Sequence, residues 1–132
     1  ILSNNIPGAE VIGVDIVPNA IEDARKNAER NSVTGLKFIA EDVGKFLNEY
    51  PQYKDNISTV IIDPPRAGIA PKTLKKVVQL NAARIVYISC NPATQARDTE
   101  YLLNEGYQLK KLSFVDQFPH TSHVESIALF EK

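Results

Sequence analysis

The sequence predicts an α/β domain on a mostly parallel sheet, and three observations carry that prediction. Short apolar runs of strand length alternate with stretches of helical period. Several of these runs stop at an acid, as at Asp15, Glu41-Asp42 and Asp63, where a strand gives way to a loop. The third is the run Ile85-Val86-Tyr87-Ile88-Ser89-Cys90-Asn91-Pro92, which reads as a strand buried on both faces passing straight into a helix. Asn91 is placed to cap that helix and Pro92 to occupy its first position.

Each element follows in order. Residues 1–10 read as a loop around Pro7-Gly8. Residues 11–16 form a buried strand. Asn19 is the expected cap of the next helix, with Glu22 as its capping-box partner and Ile21, Ala24 and Ala28 on one face. A strand over 36–40 follows, then a short helix over 43–50 and a polar loop over 51–57. Residues 59–62 form a strand stopped by Asp63-Pro64-Pro65-Arg66. Pro71 opens a helix carrying Leu74, Val77, Val78 and Leu80. The helix from Pro92 runs to about residue 105 and closes at Gly106. Residues 109–118 and 125–130 read as a closing antiparallel pair joined through Pro119-His120-Thr121-Ser122-His123.

At 132 residues the chain is long enough for a core and is expected to be a single domain. A net charge of −1 gives no global basic footprint, so composition alone offers no support for nucleic-acid binding. One cysteine rules out an internal disulfide and a multi-cysteine metal or iron–sulfur site within these residues. No apolar run approaches the roughly 18 residues of a membrane span. No membrane partner is expected, and the expected location is cytoplasmic.

Cys90 falls on a strand-to-helix turn at the carboxyl end of a strand, where open α/β sheets bind ligands and where a nucleophile would be placed. The ordinary alternative is a small buried hydrophobe. Asp15 could accept hydrogen bonds from ribose hydroxyls, or simply be a solvated acid. Asp42 could meet an adenine edge, although a helix-capping acid is the simpler reading. There is no glycine-rich phosphate loop, since Gly13 lies inside a strand, and a cofactor without phosphates needs none. Asp63-Pro64-Pro65-Arg66 makes a stiff, donor-poor loop suited to a flat wall against a planar base, and an arginine at 66 can meet a phosphate or stack on a ring. His120 and His123 are too few for a metal site, and no metal is expected. Glu125 enters an apolar strand, which makes it a candidate general base beside the ordinary reading of an exposed strand residue.

Three motifs together carry a resemblance. They are Asp63-Pro64-Pro65-Arg66-Ala67-Gly68; Ser89-Cys90-Asn91-Pro92-Ala93-Thr94 with Arg97-Asp98; and Phe118-Pro119-His120-Thr121-Ser122-His123-Val124-Glu125. Over essentially its whole length the chain resembles the carboxyl-terminal part of the S-adenosylmethionine-dependent RNA (uracil-5-)-methyltransferases. The closing motif is more like the ribosomal-RNA branch than the tRNA branch. The resemblance implies a Rossmann-like class I methyltransferase sheet, with Cys90 as nucleophile and Glu125 as general base. It implies Asp15, Asp42 and Asp63 at the S-adenosylmethionine site, although the family usually has Glu where Asp15 stands. Arg66, Asn91 and His120 complete the candidate set as RNA contacts. The family also has a first strand and glycine-containing loop ahead of residue 11. The expectation is therefore a truncated catalytic domain that by itself is inactive and binds cofactor weakly. Its strands at 11–16 and 59–62 would be left with open edges, and would pair with each other or recruit another chain.

The residue types suit C5-methylation of uridine, since a soft nucleophile at C6 makes C5 enolate-like and one carboxylate then removes the C5 proton. Two other readings stay open: an amino-methyltransferase on the same fold, which needs no cysteine, and a non-catalytic RNA-binding or assembly fragment.

Overall fold

The computed structural model describes residues 8–116 and 124–132. Along the chain run β1 (Val11–Asp15), α1 (Pro18–Arg30), β2 (Leu36–Ala40), α2 (Val43–Glu49), a 3-10 turn (Pro51–Tyr53), β3 (Thr59–Ile62), α3 (Pro71–Gln79), β4 (Arg84–Ser89), α4 (Pro92–Asn104), β5 (Gln108–Val115) and β6 (Glu125–Glu131). The element types and order are those the sequence predicts. The chain divides into two compact units, Ile1–Tyr50 and Pro51–Lys132.

In the first unit β1 and β2 pair in parallel, from Val11 opposite Leu36 to Asp15 opposite Ala40. Gly13 faces Phe38 across this ladder, and a Cβ on Gly13 would lie 2.9 Å from the ring, so the strand needs a residue without one here. β1 is half-buried rather than buried, because this sheet has only two strands among the described residues. Helix α1 buries Ile21. It is not capped as expected: Val17 is the N-cap, with no side-chain cap bond, and Pro18 rather than Asn19 opens the helix. Proline's fixed φ suits the first helical position, and its missing N–H would have had no partner there. Helix α2 is capped by Asp42, whose side chain accepts from the Lys45 N–H, and its buried Phe46 stacks on Tyr50 with centroids 4.7 Å apart.

The second unit holds a four-stranded sheet in the order β3-β4-β6-β5. β3 and β4 are parallel. β6 runs antiparallel to both β4 and β5, so it alone is reversed and β5 points the same way as β4. Ile85, Tyr87, Ala128 and Phe130 of the sheet pack with Leu102 of α4 and with Tyr107, each no more than 2% exposed. β4 is not buried on both faces as its apolar run suggests: Ile85, Tyr87 and Ser89 are buried, while Val86 and Ile88 are half-buried. The period-2 alternation sends the first set toward α4 and the second to the opposite, less covered face. β5 ends at Val115, short of the expected 118, and 117–123 lie outside the described residues.

β1 and β3 belong to separate sheets, and each has one strand partner among the described residues. Of the two expected outcomes, pairing of these strands with each other does not occur among the described residues. Ile61 on β3 is among the exposed large apolar side chains.

Candidate active site

In the second unit the site is built where β4 passes into α4. Cys90 is the first residue beyond β4 and is half-buried. The turn around it closes on itself: the Asn91 N–H donates to Ser89 Oγ at 3.0 Å, and the Ser89 hydroxyl donates to the Asn91 carbonyl at 3.0 Å. Asn91 caps α4 as predicted, its Oδ1 accepting from the Ala93 N–H at 3.1 Å. The register of β4 and β6 ends with Ser89 opposite Ser126. Cys90 and Glu125 each adjoin that last pair, one just past β4 and the other at the start of β6, so the predicted nucleophile and base flank the end of one antiparallel ladder, and Glu125 is half-buried.

The loop over 63–69 is fastened to the same turn. Asn91 Nδ2 and Thr94 Oγ1 both donate to the Arg66 carbonyl, at 3.0 and 3.1 Å. Arg97 donates to the Ala67 carbonyl at 3.2 Å. Gly68 turns the chain at φ +78°, and a Cβ there would lie 2.6 Å from an Arg97 nitrogen and 2.8 Å from Asp98 Oδ2. The neighbouring Ile69 N–H donates to that same Asp98 oxygen at 2.9 Å. Asp63 and the Arg66 side chain lie exposed on this pinned loop.

Beneath the turn lies a buried polar layer. Asp98, 3% exposed, accepts from the Tyr87 hydroxyl at 2.7 Å as well as from Ile69, and its other oxygen meets the Arg97 guanidinium at 2.7 and 2.9 Å. Burial, with the Asp98 carboxylate beside it, holds the Tyr87 phenol well above its ordinary pKa, because both disfavour a phenolate. Gln95 donates to the Tyr87 carbonyl at 3.0 Å and accepts from the Ser126 hydroxyl at 2.6 Å.

In the first unit, Asp15 and Asp42 stand at the carboxyl ends of the parallel strands β1 and β2. Asp15 is exposed, and its Oδ1 accepts from the Val17 N–H at 2.7 Å. Ile16 and Val17 beside it are 66% and 50% exposed. A carboxylate next to bare apolar side chains at a strand end fits an adenosine, with hydroxyls for the acid and a flat ring for the apolar surface. Asp42 is engaged as the α2 cap through one oxygen, accepting from the Lys45 N–H at 2.9 Å.

The structure thus brings together Cys90, Asn91, the Arg66 backbone and Glu125 in one unit, and Asp15 and Asp42 in the other. His120 lies outside the described residues. The sequence reading missed Gln95, Tyr87 and Ser126, and gave Asp98 no role. A signal was present: Gln95, Asp98 and Leu102 have the i, i+3, i+7 spacing of a buried helix stripe, and they are the buried residues of α4. Polar residues on such a stripe require partners. Among the described residues no three His, Cys, Asp or Glu side chains gather to hold a metal ion, and no helix is long and apolar enough to cross a membrane.

The mixed α/β fold matches that of Rossmann-like methyltransferase structures. A precorrin-6y C5,15-methyltransferase from Geobacter metallireducens shares the fold at a TM-score of 0.76 and 16% identity, over 98% of this chain and 71% of that one. The chain belongs to the tRNA (uracil-5-)-methyltransferase family, whose profile matches residues 2–132. It is 44% identical over 124 residues to the 23S rRNA (uracil(1939)-C(5))-methyltransferase RlmD of Salmonella typhimurium, covering 94% of this chain and 28% of that protein. A Pyrococcus abyssi tRNA (uracil-54, C5)-methyltransferase, solved with S-adenosyl-L-homocysteine, matches at 37% identity and a TM-score of 0.78, over 98% of this chain and 30% of that one. The chain therefore spans under a third of the length of these relatives.

Proposed function

We propose that the protein carrying this chain methylates C5 of a uridine in RNA, using S-adenosylmethionine and a covalent bond between Cys90 and C6. The observation that supports this reading is the β4–β6 register, whose last pair, Ser89 opposite Ser126, is adjoined by Cys90 and Glu125, the two positions that the resemblance implies for nucleophile and base. S-adenosylmethionine supplies the methyl group on a sulfonium, an electrophile strong enough for an enolate carbon. The Cys90 thiolate adds to C6, and the C5–C6 π electrons move toward O4, so that C5 becomes the nucleophile that takes the methyl. The Glu125 carboxylate then takes the C5 proton. The released electron pair restores the double bond and expels the thiolate. Asp15 and Asp42 serve the cofactor. The assignment of Asp63 to the cofactor, and of Arg66, Asn91 and His120 to RNA, rests on the family resemblance.

Ribosomal RNA is the favoured substrate, supported by the higher identity to 23S rRNA enzymes than to the tRNA enzyme from Pyrococcus abyssi. Parallel assays on 23S rRNA and tRNA transcripts decide between them. Self-association through the open strand edges at β1 and β3 belongs to the same reading, and sedimentation of the chain tests it.

The catalytic test uses RNA carrying uridine or 5-fluorouridine. Cys90→Ala should abolish both methyl transfer and covalent capture. Glu125→Gln should permit attack and methylation but stall before release, so that adduct accumulates on denaturing gels while turnover falls about 10²–10⁴-fold. Normal turnover by Cys90→Ala would overturn the mechanism and return the site to the amino-methyltransferase reading.

A further inference from the structure

We propose that Gln95 and Ser126 are positioning residues that hold Glu125 in place for proton removal; this rests on the assignment of Glu125 as the base. Glu125 is the first residue of β6, and a strand's first residue is the one most prone to fraying. The next residue, Ser126, is completely buried, and Gln95 is 4% exposed. The Ser126 hydroxyl lies 2.6 Å from Gln95 Oε1 and 3.3 Å from the Ser89 carbonyl. Its single proton goes to the nearer acceptor. The Gln95 amide cannot be reversed, because its nitrogen is needed to donate to the Tyr87 carbonyl at 3.0 Å.

β6 is thus tied, one residue inside its start, to a helix side chain that is itself tied to the backbone of β4. The other buried strand residues on this face are Ile85, Tyr87, Ser89, Ala128 and Phe130, mostly apolar, so an apolar pair would have filled much of the space as well. What the polar pair adds is direction. A hydrogen bond fixes the pitch and register of the strand start more narrowly than apolar packing does. Because side chains alternate along a strand, fixing Ser126 toward α4 fixes Glu125 toward the opposite face.

Cys90 has supports beyond this pair, which reaches its strand only through the Ser89 and Tyr87 carbonyls. Its turn is held by the reciprocal Ser89–Asn91 bonds and by the Asn91 cap and its bond to the Arg66 carbonyl. The Cys90 turn therefore keeps its own hydrogen bonds when the pair is lost, and loss of the Gln95–Ser126 bond should slow release far more than attack.

The experiment measures Ser126→Ala, Gln95→Leu and the double variant in the complete protein that contains this chain. Two rates are read. Capture by 5-fluorouridine RNA reports attack and methylation, since fluorine cannot leave as a proton and no base is required. Turnover on uridine RNA includes proton removal. The expected result is capture within about twofold of wild type and turnover reduced about ten- to a hundredfold, the scale of a misplaced catalytic group. Adduct with ordinary RNA should accumulate. The double variant separates positioning from stability, because removing both partners leaves no buried donor unmet and should restore the melting temperature. Its turnover should stay low. The proposal is overturned if capture and turnover fall in proportion, if neither changes, or if the double variant regains turnover along with stability. Failure of the wild type to form any adduct with 5-fluorouridine RNA would overturn the catalytic reading itself, and this inference with it.

Discussion

Replacing Asp98 with Ala should destabilise the second unit by roughly 2–6 kcal/mol, the cost of leaving two buried donors unmet. The magnitude follows from which partners are buried. Truncation strands the Tyr87 hydroxyl and the Ile69 N–H, which now donate to the same oxygen at 2.7 and 2.9 Å. Each unmet buried donor costs about 1–3 kcal/mol. The Arg97 ion pair adds less. The Arg97 side chain is 54% exposed, and pairs with a solvated member contribute about 1 kcal/mol or less. Arg97→Ala should therefore cost much less than Asp98→Ala. Asp98→Asn should fall between, because its oxygen can keep both buried donors while its amide turns an NH2 toward the guanidinium. The chain has no tryptophan, so urea unfolding is best followed by far-UV circular dichroism. A cost below about 1 kcal/mol for Asp98→Ala, or equal costs for Asp98→Ala and Arg97→Ala, would refute the argument that the buried donors dominate.

Gly68→Ala should cost about 1–3 kcal/mol, since it combines a left-handed backbone with a Cβ forced against Arg97 and Asp98; an unchanged thermal midpoint would contradict this. The Tyr87 phenol has a folded pKa above its ordinary value of 10.0, so the stability linked to it is complete below that pH. That stability is lost as pH rises above about 10, because the unfolded chain gives up the proton while the folded one retains it. Tyr87→Phe should flatten this alkaline decline, and an identical decline in both proteins would count against the assignment. Asp15→Ala should weaken S-adenosylmethionine binding by about tenfold or more in calorimetry on the complete protein, the worth of a charge-assisted hydrogen bond. Unaltered affinity would remove Asp15 from the cofactor site.

Much of this domain was legible in local sequence. The strand-to-helix turn at Cys90 is spelled out by neighbours, because Asn91 caps and Pro92 opens a helix whatever the rest of the chain does. Gly106 at φ +92° ends α4 for a similarly local reason. Local rules erred where two of them competed. At the start of α1 the fixed φ of Pro18 prevailed over the capping-box spacing of Asn19 and Glu22. They erred again at β4, where an unbroken apolar run could not disclose that one face would be less covered.

What the tertiary structure decided is the pairing of distant strands. Nothing in residues 84–90 or 124–131 taken separately says that β6 inserts, reversed, between β4 and β5 with Ser126 opposite Ser89. A register of this kind is set by which side chains share a buried face across the whole sheet, and a slip of one residue would send Glu125 to the wrong side. The sequence by itself determined the turn that presents Cys90, with its Asn91 cap and Pro92 at the first helical position. The sheet decided that Ser89 and Ser126, the neighbours of Cys90 and Glu125, lie opposite each other. Packing decided that Gln95, Asp98 and Ser126, ordinary polar letters in the sequence, are buried and hydrogen-bonded beneath the β4–α4 turn.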